Sequence, residues 1–297
     1  MKIGTSNTMY APELPMGEGM ARIRAAGFDC VDLNLYIFST PGQPMAEPGW
    51  RAWVESVGEA TRNAGLEMGQ VHALFNKLTT PDLAYQGPEE VFFHSLEACR
   101  LLGCRELVFH PVFYPGRVES AQLRGELTDY NARWFRELVP AAVEQGVYLD
   151  IENTFDYAKV QLPGDPATPF TAAADMLDLL ARIGSPQCAL CLDTGHAHIA
   201  AQDIPGMVLA FGERLRVLHL NDNFGAISPI YSDIHTFPGF GSADFPGIFA
   251  ALRQTGYAGV LNIEPGGFLN QMPLPVRDAA MRCGAAVTRR YGEQAGL

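Results

Sequence analysis

Short apolar runs recur along the chain, and between them apolar residues return at the three-to-four spacing of a helix face. The runs begin near Lys2, Cys30, Glu67, Glu106, Val147, Cys188, Val217 and Gly259. Their separation of roughly 30 to 40 residues is the length of a strand–helix unit. Helical patterning covers Gly17–Ala26, Trp50–Ala64, Glu89–Leu102, Asp129–Gln145, Ala172–Ile183 and Phe245–Thr255. A glycine follows each of these, at 27, 65, 103, 146, 184 and 256, where a helix C-terminus favours one. Eight strands alternating with helices over 297 residues predict an α/β fold, a (β/α)8 TIM barrel. No Ser/Gly-rich linker or charge run divides the chain, so residues 1–297 read as one domain.

Several of these apolar runs stop abruptly at an ionisable residue. Cys188-Ala-Leu-Cys-Leu ends at Asp193, with His196 three residues on; Val147-Tyr-Leu-Asp-Ile ends at Glu152; Val217-Leu at His219; Gly259-Val-Leu-Asn-Ile at Glu264. The third and fourth runs end at His72 and His110. In a barrel of this kind the C-terminal ends of the strands and the loops after them form the active face. Singly, each residue reads as well as a solvated loop residue or an ion-pair partner. Four at equivalent positions on consecutive strands instead suggest one convergent site. Glu152, Asp193, His219 and Glu264 offer three carboxylates and an imidazole, a donor set suited to Mn2+, Mg2+ or Co2+ and tolerant of Zn2+. Their combined charge would be costly without a cation. His94 is the histidine that falls inside a predicted helix, and it reads as structural.

Composition narrows the partners. The net charge is −12, the pI is near 5.0 and lysine occurs only at 2, 77 and 159, which argues against a nucleic-acid surface. Cys188 and Cys191 lie three apart within one strand, so they face opposite sides, and core packing explains them better than a metal knuckle or a redox pair. The six scattered cysteines suit a reducing compartment. The chain opens on a strand without a signal-peptide-like apolar region, and no apolar run reaches membrane-spanning length. A cytoplasmic protein is the expectation.

Five segments together carry a family resemblance: Leu149-Asp-Ile-Glu-Asn153, Leu192-Asp-Thr-Gly-His196, His219-Leu-Asn-Asp222, Asp233-Ile-His-Thr-Phe-Pro-Gly-Phe-Gly241 and Ile263-Glu-Pro265. On these the chain resembles the xylose isomerase-like barrels, which include sugar isomerases and epimerases, hydroxypyruvate isomerase, inosose dehydratase and endonuclease IV. The resemblance to ketose 3-epimerases implies that Glu152, Asp193, His219 and Glu264 bind one Mn2+-type ion. It implies too that Glu152 and Glu264 exchange a proton with the sugar carbon, and that His196 contacts a substrate oxygen. Two positions depart from that pattern: a substrate-binding glutamate is replaced by Ala158 and an arginine by Gly225. The resemblance to endonuclease IV implies a different set, three zinc ions on His72, His110, Glu152, Asp193, His196, His219, Asp233, His235 and Glu264.

The segment from Asn223 to Phe240 is long for a barrel loop and carries Gly225, Pro229, Pro238 and Gly239, which suits a substrate lid. His196, His235, His72, His110 and Asp233 are candidate substrate-binding residues. Tyr10, Tyr36, Phe75, Phe113, Tyr114, Phe155, Phe224, Phe240 and Phe268 are candidates for the pocket wall. Lys77, Arg117 and Lys159 are the cations placed on the active face, and Gly266-Gly267 is a weak candidate for a phosphate cradle. The reading that follows is a sugar isomerase or epimerase with one divalent ion, Mn2+ before Mg2+, Co2+ or Zn2+. It acts on a small polyhydroxy carbonyl compound by proton transfer through an enediolate. A lyase acting on a keto-inositol is the first alternative, and a trinuclear zinc phosphodiesterase the second. No nucleic-acid or membrane partner is expected, and a homo-oligomer is compatible with the sequence.

Overall fold

Alternation along each strand decides what fills the two sides of the sheet. In β5, Tyr148–Glu152, Leu149 and Ile151 belong to the main apolar core while Asp150 and Glu152 point the other way. The computed structural model describes residues 1–75, 78–155, 168–225 and 233–297, apart from the Phe268 side chain. Within them the same division recurs in β1 (Ile3–Ser6), β2 (Cys30–Asn34), β3 (Glu67–His72), β4 (Glu106–Phe109), β6 (Cys188–Asp193), β7 (Leu215–His219) and β8 (Leu261–Ile263). These eight parallel strands form one sheet in the order β7-β6-β5-β4-β3-β2-β1-β8. An isolated bridge between Leu220 and Ile263 brings the two ends together, with Leu220 N–H donating to the Asn262 carbonyl at 2.7 Å. The result is a nearly closed single-domain (β/α)8 barrel, as the spacing of the apolar runs predicts.

Helices α1 (Met16–Ala25), α2 (Trp50–Asn63), α3 (Glu90–Leu101), α4 (Ala121–Gln145), α5 (Ala173–Ile183), α6 (Thr194–Ile199), α7 (Ile204–Phe211), α8 (Phe245–Thr255) and α9 (Leu274–Ala295) connect the strands or follow the last of them. Helix α4 begins two turns before the predicted Asp129. Its start is the Ser120 hydroxyl, which accepts from Leu123 N–H at 3.0 Å as an N-cap. Helices α6, α7 and α9 were not marked by apolar periodicity. The inner face of α9 uses small residues such as Gly284 and Ala285; a Cβ on Gly284 would come within 2.6 Å of the Phe237 ring. Gly146 (φ +68°) and Gly184 (φ +69°) take the left-handed conformation that ends α4 and α5, as expected.

The apolar core lies between the outer faces of the strands and the helices, with residues such as Phe109, Ile151, Leu192 and Leu218 packed against Leu96, Phe135 and Leu179. The barrel interior holds a separate small apolar cluster, Val108, Cys191 and Val217. Cys188 lies in the outer core and Cys191 in the inner cluster, so the pair does face opposite ways; all six cysteines are free. The barrel interior also holds buried polar groups, and these need partners. Gln70 Nε2 donates to Asp32 at 3.1 Å and Asn262 Nδ2 lies 3.4 Å from the same oxygen. Among the described residues no helix is long and apolar enough to cross a membrane.

Candidate metal and substrate site

Glu152 closes β5 on the inward side and is almost fully buried. Four imidazoles surround its carboxylate. Oε2 lies 3.0 Å from His110 Nε2 and 3.3 Å from His72 Nε2; Oε1 lies 3.1 Å from His219 Nδ1 and 3.4 Å from His196 Nδ1. Burial alone would raise its pKa, but His219 and His110 outweigh it and hold the carboxyl well below the usual range.

Asp193 ends β6 and also starts α6. Its Oδ1 accepts from His196 N–H at 2.7 Å, so the candidate ligand is the N-cap of a helix. Its Oδ2 accepts from Asn221 Nδ2 at 2.7 Å. Asn153 pairs with the Asp193 backbone in both directions, Asp193 N–H to Oδ1 at 2.7 Å and Nδ2 to the Asp193 carbonyl at 3.0 Å. Burial pushes the Asp193 carboxyl up to about 6 against the charges of His196 and His235. His196 and His198 therefore lie on a helix, which makes His94 not the sole helical histidine that the sequence predicts. The turn of α6 brings the His196 ring back over β5, where Nδ1 is 3.0 Å from the Asn153 carbonyl.

His219, on β7, is fully buried, and neither ring nitrogen makes a hydrogen bond. Nδ1 points between Glu152 and Glu264, at 3.1 and 3.4 Å. Burial opposes a charge on this ring. The Cys191 sulfur, Glu264 and Glu152 favour it and raise the pKa well above the usual histidine value. Burial keeps Cys191 itself a neutral thiol, so the two carboxylates carry the effect at neutral pH. Glu264, just past β8, is more open, with its side chain 16% exposed.

Glu152, Asp193, His219 and Glu264 each offer a ligand atom within 4.8 Å of the others, so this buried cluster can hold a metal ion. Two observations favour a cation there: an orphaned imidazole nitrogen, and three carboxylates converging in a buried space. Two further groups satisfy the same criterion, His72 with Glu152 and His219, and Asp193 with His196 and His235.

A cavity of about 290 Å3 opens onto this cluster. It is lined by His72, His110, Glu152, His196, Asp233, His235 and Glu264, with Tyr36 and Phe75 as its aromatic wall. His235 Nε2 lies 2.8 Å from Asp233 Oδ1 and its Nδ1 2.9 Å from the Glu264 carbonyl. Burial opposes protonation of His235, but Asp233 overrides it and raises its pKa well above the usual value. All the predicted site residues thus converge on one face. The cavity also takes in Pro265, from a segment that carries the family resemblance, and Thr8, Met9 and Asn270, for which the sequence carries no signal. Asn153 and Asn221 were visible as amides immediately after or close to a candidate ligand, though not as its orienting partners.

Other expectations fare differently. Tyr10 is buried away from the cavity, its hydroxyl bonded to Asp278 at 2.7 Å, and Phe224 and Phe240 are half exposed. Phe155 packs on His196 and Phe113 on His110. Arg117 pairs with Glu119 at 2.8 Å. Gly266 N–H donates to the His235 carbonyl at 2.9 Å, so that amide is committed within the chain and not presented to a phosphate. His94 stacks on Trp50 in the helical layer, away from the site. Lys77, Ala158 and Lys159, like the Phe268 side chain, lie outside the described residues.

Comparison with known proteins gives a consistent picture. A family model described as "Xylose isomerase-like TIM barrel" matches residues 20–281. Inosose isomerase of Bacillus velezensis is 24% identical over 174 residues, covering 58% of this chain and 58% of that protein. Fructoselysine 3-epimerase of Escherichia coli O157:H7 is 28% identical over 172 residues, covering 55% of this chain and 57% of that protein. These matches therefore span little more than half of each relative. A crystal structure of D-psicose 3-epimerase in the presence of D-fructose superposes with a TM-score of 0.75 at 15% identity, covering 98% of this chain and 99% of that one, which establishes the shared fold.

Proposed function

The chain belongs to the xylose isomerase-like TIM-barrel family, and from that premise we propose that it is a sugar isomerase or epimerase using one divalent metal ion, Mn2+ before Mg2+, Co2+ or Zn2+. The observation that carries the proposal is the pair of glutamates at the ends of β5 and β8. Both approach the same His219 nitrogen, at 3.1 and 3.4 Å, and both line one small polar cavity. The relatives named as isomerase and epimerases support the same reaction class.

Moving a proton at the carbon beside a carbonyl needs a base, an acid and positive charge near the oxygen that gains electrons. An ion held by Glu152, Asp193, His219 and Glu264 would supply that positive charge. Glu264, the more open carboxylate, removes or returns the proton on one side of the bound sugar, and Glu152 on the other. Asp193 is held in place by its cap to α6 and by Asn221. His196, His235, His72, His110 and Asp233 surround the rest of the cavity with groups that bind hydroxyls. In the lyase alternative the same first proton transfer is followed by loss of a hydroxyl from a keto-inositol.

Metal-reconstituted enzyme incubated in D2O with a panel of ketoses and inososes tests this directly. The expected result is solvent deuterium at the carbon beside the carbonyl, together with an epimer, isomer or dehydration product. No exchange with any member of the panel would overturn the proposal. The two additional ligand groups favour one second reading, a multinuclear zinc phosphodiesterase. Metal content separates the two: about one ion per chain fits the sugar reaction, whereas two or three zinc ions with cleavage of an abasic-site duplex fit the other.

A further inference from the structure

Asp222 lies three residues beyond the His219 position and is fully buried, yet it lines no part of the cavity. Its carboxylate accepts four backbone N–H groups: Asn223 at 2.8 Å and Ala243 at 3.1 Å on Oδ1, Gly239 at 3.1 Å and Gly241 at 2.8 Å on Oδ2. Three of these donors belong to the segment that returns from the loop after β7. The backbone of Asp222 also pairs with Thr236 in both directions, at 2.9 and 2.8 Å. A side chain at Gly241 would overlap Asp222 Oδ1 and the Asn223 carbonyl, so the clamp closes only on a glycine.

The residue immediately before Thr236 is His235, and its φ is +46°. A histidine in the left-handed region is disfavoured and persists only where its surroundings over-determine it. Here they do so from both sides. Asp222 fixes the chain after His235, while Gly266 N–H donates to the His235 carbonyl at 2.9 Å. A Cβ on Gly266 would lie 2.5 Å from the Ile234 carbonyl oxygen, so this second contact also requires glycine. The unusual backbone aims the imidazole at Asp233 and over Glu264.

We propose that Asp222 is a positioning residue whose carboxylate clamp holds His235 in its left-handed conformation and thereby sets the imidazole against the substrate. The inference rests on the reading that His235 contacts substrate. Without the clamp, the segment 236–243 loses its common acceptor, φ at 235 relaxes to negative values, and the ring leaves Asp233 and the Glu264 carbonyl.

The test is a double-mutant cycle on the full chain with Asp222→Asn, His235→Asn and the double variant, loaded with diamagnetic Mg2+ for the NMR and exchange measurements and with the activating ion for turnover. Asparagine keeps the shape of aspartate but turns an NH2 toward two of the four donors. Three readouts are taken: amide exchange at Gly239, Gly241 and Ala243, the nitrogen NMR signals of the His235 ring, and turnover of the sugar found active. In Asp222→Asn the three amides should exchange at least about tenfold faster, and the ring signals should lose their hydrogen-bonded pattern. Turnover should fall by up to about a hundredfold, as expected for a misplaced active-site group, but Asp222→Asn should change it less than about twofold in the His235→Asn background. Unchanged ring signals, or equal effects of Asp222→Asn in both backgrounds, would overturn the proposal. If Asp222→Asn does not fold, Gly241→Ala opens the same clamp from its other side and is read identically. Amide exchange and ring signals need no substrate, so failure to find an active sugar would count against the proposed function while these two readouts still decide the role of Asp222.

Discussion

Gly195 offers a severe test of how the candidate metal ligands are held. It lies in the first turn of α6, two residues after the Asp193 cap, and packs against the loop beyond β7. An added Cβ would overlap Asn221 Oδ1 and come within 2.8 Å of Asn221 Cγ and 3.0 Å of Asn223 Nδ2. The Asn221 amide would have to move by about 1.5 Å to regain ordinary contact. That movement breaks its 2.7 Å bond to Asp193 Oδ2. A hydrogen bond to a buried charged group contributes about 1.5–3 kcal/mol, and overpacking typically costs a further 1–3 kcal/mol. Gly195→Ala should therefore lose about 3–6 kcal/mol, a large share of the roughly 5–15 kcal/mol that a domain possesses. Because Asp193 loses a group that orients it, affinity for Mn2+ should fall by about 10–100-fold. Urea unfolding of chelator-treated protein measures the first effect, and competition with a fluorescent chelator the second. Gly125→Ala is the control: nothing lies within 4 Å of its Cβ position inside α4, so it should gain about 0.5–1 kcal/mol. A loss below 1 kcal/mol in Gly195→Ala, with metal affinity unchanged, would refute the packing argument.

Three further predictions concern charge and metal. Glu264→Gln should abolish turnover while leaving the circular dichroism spectrum intact, because it removes the more open of the two proposed proton-transfer groups; full retained activity would remove Glu264 from the mechanism. In the metal-free protein, burial raises Asp32 from 3.8 to about 6. The folded state then holds this proton to a higher pH than the unfolded chain, so Asp32 lowers stability progressively as pH rises from about 4 to about 6. Asp32→Asn should match wild type near pH 3.5 and exceed it by up to about 3 kcal/mol at pH 7. A difference that does not grow across that window, in urea unfolding at a series of pH values, would exclude the effect. Chelation should lower the thermal midpoint, and Mn2+ at a hundred times its Kd should restore about 2.7 kcal/mol. Scanning calorimetry of wild type and His219→Ala distinguishes this from a nonspecific salt effect, since the variant should gain far less.

Much of the arrangement was legible because barrel strands advertise themselves through alternation. Once Ile151 and Leu149 are assigned to the outer core, Asp150 and Glu152 must face inward, and the same parity sets His72, Asp193 and His219. What sequence could not show is how these groups are held. Asp193 reads as the end of a strand, and nothing local says that it also caps α6 and so turns His196 back over Glu152. The link between Asn221 and Asp193 spans 28 positions and exists only once β6 and β7 are neighbours. Helix α9 carries little apolar contrast because, Met281 apart, its buried face consists of Arg277 and the small residues Gly284, Ala285, Thr288 and Gly292. Asp222 appeared in a motif without a role, since its four donors come from backbone N–H groups, and backbone donors leave no mark on residue identity.

The charge state of the metal-free cluster supplies a way to count ions without trapping them. Glu264 and Glu152 raise the pKa of His219 against its burial, which favours a ring proton that must leave before Nδ1 can act as a ligand. Glu152 is held well below the usual carboxylate range and Asp193 titrates at about 6, so both are largely ionised at that pH. One ion in the Glu152–Asp193–His219–Glu264 cluster should therefore release about one proton at pH 7. Affinity should rise with pH, by about tenfold per unit while that proton is bound. Occupying the Asp193–His196–His235 group as well would draw further protons, because His235 is also raised well above its ordinary pKa and His196 is raised. Calorimetric titration of Mn2+ and Zn2+ in buffers of different ionisation enthalpy gives the number directly. About one proton per chain with either metal supports the single-ion sugar reaction. A count that climbs to three or more as zinc is added would assign the additional histidines to metal and favour the phosphodiesterase reading, whereas no proton release would mean that the His219 ring is already neutral before the ion binds.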